Sequence, residues 1–160
     1  MDAIELLKDQ HDEVAELFEE LAELDGARKE ECFVRLADAL AIHATIEERH
    51  FYPAVRAERT EEILLESLEE HLAIKRVLAD MLALSPDDEL FDAKLAVLQE
   101  EVEHHVGEEE GDLFPKVKRL FGRARLDEIG GLMEQTAGEL EGTDPRFTVR
   151  SQTEAAPPLP

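Results

Sequence analysis

The stretch HATIEERHFYP, His43 to Pro53, comes back 62 residues later as HVGEEEGDLFP, His105 to Pro115. Both copies read His-x-x-x-Glu-Glu and both close on an aromatic residue followed by proline. Residues four apart on an α-helix lie one above the other on a single face. Each copy therefore sets an imidazole beside a carboxylate. Whether that face is solvated or interior is decided by what flanks it.

The flanks are amphipathic. Ile4, Leu7, Val14, Phe18 and Leu21 recur at helical spacing over residues 2–24, and Asp25-Gly26 supplies a stop. Residues 28–57 carry Phe33, Leu36 and Leu40 on one seam; residues 60–84 carry Leu64, Leu68, Leu78 and Leu82. Ser85-Pro86 has the form of an N-cap followed by proline at the first helical position. The helix it would open runs to about Phe121 and uses Phe91, Leu95, Leu98 and Val102. A shorter piece over residues 125–140 has Leu126, Ile129, Leu132 and Met133 on its apolar face. From Gly142 the chain turns to Thr, Pro, Ser and Gln, which predicts a disordered tail. Pro53 and Pro115 are expected to end or kink their helices.

Short links between long helices favour antiparallel neighbours. The expected fold is all-α: an up-down-up-down antiparallel four-helix bundle over residues 1–121, an additional C-terminal helix over 122–142, and a disordered tail over 143–160.

Each seam has a polar residue at its middle. The three-four spacing runs Leu7, His11, Val14 in the first helix and Leu40, His43, Glu47, His50 in the second. It runs Leu68, His71, Lys75, Leu78 in the third and Val102, His105, Glu109, Asp112 in the fourth. His11 lies 15 residues before Gly26 and His43 lies 17 after it, so a rise of about 1.5 Å per residue puts them near one level. His71 and His105 fit that level if residues 85–90 form a longer non-helical link. One interior layer would then hold four histidines and two glutamates. Buried carboxylates among neutral imidazoles are not satisfied by one another, and a cation resolves this. Imidazole suits iron, zinc, copper or nickel, and two carboxylates from different helices can bridge two ions.

The composition agrees. Forty acidic against seventeen basic residues give a formal charge of -23, which argues against nucleic acid or an anionic membrane as partner. A single cysteine, Cys32, cannot form an internal disulfide, and no apolar run is long enough to span a membrane. The start MDAIELLKDQ lacks the features of a signal peptide, so a cytoplasmic setting is expected. There is no glycine-rich phosphate loop and no Cys-His pair, so no catalytic residue is assigned.

The phrases QHDEV at His11, HATIEERHFYP at His43, EEHLAIK at His71 and HVGEEEGDLFP at His105 resemble those of hemerythrin-like, HHE cation-binding domains. The resemblance covers about residues 2–121. It implies that His11, His43, Glu47, His71, His105 and Glu109 bind two non-haem irons in an oxo- or hydroxo-bridged centre, with Glu47 and Glu109 bridging. Two departures stand out. Oxygen-carrying members have a further histidine where this chain has Lys75, and aspartate where it has Glu109. His50 is the candidate substitute ligand, or else a neighbour of the site paired with Asp112, its counterpart in the repeat. Tyr52 is either core packing or a redox-active or hydrogen-bonding neighbour of the metals. His104 sits about 100° off the seam and belongs either to the surface or just behind the ligands.

A centre of this kind takes dioxygen or hydrogen peroxide as its small ligand, in oxidative-stress or iron homeostasis. Lys75 in place of an imidazole weakens the oxygen-carrier reading and favours catalase-like peroxide turnover. Reversible oxygen or iron binding or sensing without catalysis, and nitric-oxide detoxification, are the alternatives.

Overall fold

The computed structural model describes residues 1–160 and is helical throughout, with no strand. Helix α1 (Ala3–Ala22) opens on a reciprocal cap. The Asp2 carboxylate accepts from the Ile4 and Glu5 amides at 2.9 Å, and Glu5 accepts from the Asp2 amide. Its seam of Ile4, Leu7, Val14, Phe18 and Leu21 is buried as expected. The chain reverses at Gly26, whose φ of 59° is the left-handed conformation that glycine takes without steric cost.

Helix α2 (Gly26–Ile46) runs into a π-helical turn (Glu47–Phe51) and a short α3 (Tyr52–Ala54). Helix α4 (Glu61–Leu82) follows, then α5 (Glu89–Glu108), a second π-helical turn (Glu109–Leu113) and α6 (Phe114–Leu120). The two π turns occupy equivalent positions in the repeated phrase. In each, an amide donates across five residues: Tyr52 to the Glu47 carbonyl and Phe114 to the Glu109 carbonyl. Pro53 and Pro115 come one residue later, where the missing N–H spares the widened ladder a bond it could not close. The helical path thus passes through both prolines.

Contacts across α1 and α2 pair early residues with late ones: Leu17 with Cys32, Gln10 with His43. The two helices are an antiparallel hairpin. So are α4 and α5, where Asp80 meets Lys94 and Glu70 meets His105. The Lys29 ammonium, buried and paired with Asp92 at 2.8 Å, ties α2 to α5.

Two apolar clusters fill the interior. One gathers Val14, Phe18, Phe33, Leu36, Leu78, Phe91 and Leu98 towards the α1–α2 turn. The other gathers Ile4, Leu7, Phe51, Leu64, Phe114, Ile129 and Met133 at the opposite end. The polar layer of the seams lies between them.

Helix α7 (Arg123–Leu140) packs on α1, α2 and the first π turn. A Cβ at Gly130 would collide with the Met1 carbonyl and the backbone of Asp2 and Ala3, so glycine is what lets this helix approach so closely. Leu126, Ile129 and Met133 are buried, but Leu132 is 47% exposed: it faces away from the seat.

Two further expectations are corrected. The cap of α5 is Asp88, accepting from the Leu90 amide at 2.9 Å, and Ser85-Pro86 belongs to the non-helical link before it. The tail is ordered rather than disordered. Residues Pro145–Gln152 form a 3-10 helix that lies across α2 and α4, with Val149 buried in the first cluster. Arg146 binds Asp38, Arg76 binds the carbonyls of Thr153 and Glu154, and Arg56 binds the Leu159 carbonyl. Polar contacts of Arg146 in the tail and of Arg76 and Arg56 beneath it compensate for the low apolar content. No helix is long and apolar enough to cross a membrane.

Candidate metal centre

Helices α1, α2, α4 and α5 each deliver one histidine to the layer: His11, His43, His71 and His105. Glu47 and Glu109 join them from the first residue of each π turn, and both are fully buried.

The rings are held from behind. His43 Nδ1 lies 2.6 Å from Gln10 Oε1, His71 Nδ1 2.7 Å from Glu48 Oε2, and His105 Nδ1 2.9 Å from Glu70 Oε1. An oxygen acceptor fixes the ring proton on Nδ1 and leaves the Nε2 lone pair pointing inward, the arrangement found behind metal-bound histidines. His11 Nδ1 faces Glu110 Oε1 at 3.6 Å. These partners follow the repeat: the residue before His11 or His71 supports the histidine of the next helix, and the residue after Glu47 or Glu109 faces His71 or His11. Gln10, Glu48, Glu70 and Glu110 stand inside the quoted phrases, yet helical spacing gives no sign of which ring each one reaches.

The inward atoms form two groups that share Glu47. His11, His43, Glu47 and Glu109 bring one donor atom each within 4.8 Å of one another, and so do Glu47, His71 and His105. Glu47 Oε1 lies 3.2 Å from His43 Nε2, while its Oε2 lies 2.8 Å from His71 Nε2. Glu109 Oε1 lies 3.2 Å from His11 Nε2 and 3.3 Å from His105 Nε2. Each carboxylate thus reaches histidines of two different helices.

The fit to a cation can be tested on the atoms themselves. His11 Nε2, His43 Nε2, Glu47 Oε1 and Glu109 Oε1 are buried without a hydrogen-bond partner. They belong to the first donor group, one from each of its residues. Four converging lone pairs of this kind are costly unless a positive ion is placed among them.

In the second group the centre is taken by Tyr52. Its hydroxyl lies 3.0 Å from both Glu47 Oε2 and Glu109 Oε2, 3.1 Å from His71 Nε2 and 3.4 Å from His105 Nε2. One phenolic proton cannot serve four acceptors. Tyr52 is therefore a member of the site and not merely core packing. Helix α-periodicity hides this, because only the π turn brings residue 52 over residue 47. Its repeat counterpart Phe114 stacks on His11, with ring centroids 5.9 Å apart and planes 6° from parallel.

The electrostatics follow from burial and close contact. Burial opposes ionisation of Glu47, but His43, His105 and His71 outweigh it and hold the carboxyl well below its ordinary range. Burial disfavours charge on His105, yet Glu109, Glu47 and Glu70 raise its ring well above the ordinary value. Burial, then the Glu109 and Glu47 carboxylates, push the Tyr52 phenol far up.

His50, Asp112, Lys75 and His104 stay outside the two buried donor groups; His104 forms a separate, partly exposed group with Glu70 and Glu108. His50 Nε2 bonds Thr136 Oγ1 of α7 at 2.7 Å, and Asp112 pairs with Lys116 at 2.9 Å, so the two do not meet. The repeat placed them in equivalent positions, but α7 covers only the first. Lys75, buried, donates to both oxygens of Glu48 at 2.9 and 2.8 Å and thereby steadies the partner of His71. His104 is exposed and pairs with Glu70 and Glu108.

Comparison with known proteins agrees with this geometry. The crystal structure of a hemerythrin HHE cation-binding domain-containing protein from Mycobacterium kansasii superposes with a TM-score of 0.80 at 23% identity. That match covers 96% of this chain and 95% of the other, which establishes a shared fold. A curated protein of Nostoc sp., named DNA nickase, is 31% identical over 129 residues, or 80% of this chain. The chain spans 37% of that relative's length. The family model for the hemerythrin HHE cation-binding domain matches residues 2–117. The chain belongs to the hemerythrin HHE cation-binding domain family.

Proposed function

We propose that the layer holds two non-haem irons and that the protein binds and reacts with dioxygen or peroxide, in oxidative-stress or iron homeostasis. The observation that carries this reading is the set of unpartnered inward lone pairs on His11, His43, Glu47 and Glu109. His11 and His43 would hold one ion and His71 and His105 the other, with Glu47 and Glu109 spanning both. Carboxylates, imidazoles and a phenol form a mixed O/N donor set that suits iron better than a thiolate-seeking metal. In the same reading, the α1–α2 and α4–α5 hairpins are the halves of an up-down-up-down four-helix bundle. The setting is the cytoplasm.

Iron, when bound, supplies redox chemistry with small oxygen species. The chain's part is to orient, exclude and hold protons. Gln10, Glu48 and Glu70 fix three rings in the tautomer that presents Nε2. Lys75 keeps Glu48 in place and leaves the position of a further imidazole without a nitrogen donor. Tyr52 keeps a proton at its hydroxyl, between the two carboxylates. The two apolar clusters keep bulk water from the layer.

Lys75 favours catalase-like turnover, in which one peroxide is oxidised to dioxygen while a second is reduced to two waters. Nucleic acid is not a partner in this reading, because a charge of -23 repels phosphate. The nickase named for the Nostoc relative is therefore not carried over. Metal analysis of protein expressed with iron tests the centre: close to two irons per chain supports it, and a value near zero defeats it. Oxygen evolution on adding hydrogen peroxide then separates turnover from reversible oxygen binding, whose mark is an absorption that follows oxygen pressure.

A further inference from the structure

The four imidazoles of the layer also form the floor of a cavity of about 30 Å³. One water needs about 10–15 Å³ by this measure, so the space suits about two waters or a molecule of two or three heavy atoms. Leu40, Leu78 and Val102 line its sides. The remaining wall is not part of the long helices. It is Val149 and Gln152, from the 3-10 segment Pro145–Gln152 that crosses from α2 to α4.

This strap is fastened at its two ends. Before Val149, Arg146 grips Asp38 of α2: its amide lies 3.0 Å from Oδ1 and its guanidinium 3.0 Å from Oδ2. After Val149, Arg76 of α4 donates to the carbonyls of Thr153 at 2.9 Å and Glu154 at 3.0 Å. Between the fastenings only Val149 is buried, at 2% exposure, while Gln152 is exposed at the rim. A 3-10 run of eight residues has weaker hydrogen-bond geometry than an α-helix. Its fastenings are one half-buried ion pair and two exposed hydrogen bonds to carbonyls. The strap is therefore less firmly held than the helices it covers, as segments with few buried contacts are.

We propose that the strap is the removable wall of this cavity, with Val149 setting the size of molecule that reaches the candidate centre. Molecules of two or three heavy atoms pass; larger ones are excluded while Val149 is seated. The proposal rests on the reading that the layer binds metal, and it concerns residues outside the ligand set.

The test uses the full chain loaded with iron. Azide, with three heavy atoms, and imidazole, with five, are titrated optically, and the rate of iron removal by a bulky chelator is measured alongside. Wild type should bind azide and resist imidazole. Val149→Ala should bind imidazole about tenfold more tightly while azide affinity changes by less than about threefold. Val149→Leu, which fills the space, should weaken azide about tenfold. Arg146→Ala, which frees one end, should speed chelation, and Arg150→Ala, on the exposed side of the strap, should leave every readout unchanged. Wild-type protein that binds imidazole as readily as azide would overturn the proposal. So would a Val149→Ala variant that matches wild type in both ligands and in chelation. Wild-type protein that takes up no iron would defeat the metal reading and the proposal with it, whereas the other failures leave the metal reading standing.

Discussion

Replacing Tyr52 by phenylalanine removes one hydroxyl from the middle of the layer and leaves the ring, which packs against Phe51 and His71. In the metal-free protein that hydroxyl donates to one of two buried carboxylate oxygens, each 3.0 Å away. A hydrogen bond to a charged group is worth roughly 1.5–3 kcal/mol, and a buried acceptor left without its donor loses about as much. The carboxylates also lose the only hydroxyl proton between them. The expected cost is about 2–3 kcal/mol. For a chain of this size each kcal/mol lowers Tm by roughly 2–4 °C, so the fall should be roughly 4–12 °C. The assay is thermal unfolding followed by circular dichroism on chelator-treated protein, wild type beside Tyr52→Phe. A Tm unchanged within about 1 °C would refute the reasoning, since a hydroxyl set between two buried carboxylates cannot be removed at no cost.

Glu47→Ala and Glu109→Ala should each abolish stoichiometric metal, because each removes a donor shared by histidines of two helices; His104→Ala should retain it, by metal analysis after desalting. Gly130→Ala should destabilise by about 1–3 kcal/mol in a chemical unfolding curve, because the new methyl meets backbone rather than a movable side chain. Metal-free protein should be most stable between about pH 4.5 and 6.5. His11, His71 and His105 are raised above 6.5, so their contribution is full below that value and lost as pH rises through their folded values. Glu47, Glu48 and Glu109 are lowered below 4.5, so theirs is present above that value and lost as pH falls. A chelator-treated Tm that keeps rising above pH 8 would contradict this sign.

Periodicity alone placed the helices within a few residues of their ends and picked out the six side chains, His11, His43, Glu47, His71, His105 and Glu109, that the fold buries in one layer. This worked because a core position occupied by histidine or glutamate breaks an otherwise apolar seam and is conspicuous for that reason. The place of Tyr52 was hidden by the geometry of the turn. Five residues past Glu47 is about 140° away around an α-helix, and only a turn closed across five residues returns it to the same face. The proline after each π turn predicts an end or a kink, and the sequence alone does not say that the preceding turn is widened to accommodate it. The tail escaped for a different cause. Its order comes from Asp38 and Arg76 on distant helices and Arg56 in the link before α4, and composition is blind to such partners.

The sharing of carboxylates between hairpins has a topological consequence. His11 and Glu109, 98 positions apart, face one another at 3.2 Å, and Glu47 reaches His71 from the other hairpin at 2.8 Å. A cation seated there is a cross-link between the two halves of the chain, closing a loop that spans most of its length. Neither hairpin alone carries a complete set of donors, so the halves cannot separate while the ion is held, and the ion cannot be held while they are apart. Separation of the hairpins then requires release of the ion, and bound metal should slow every opening of the fold that parts them.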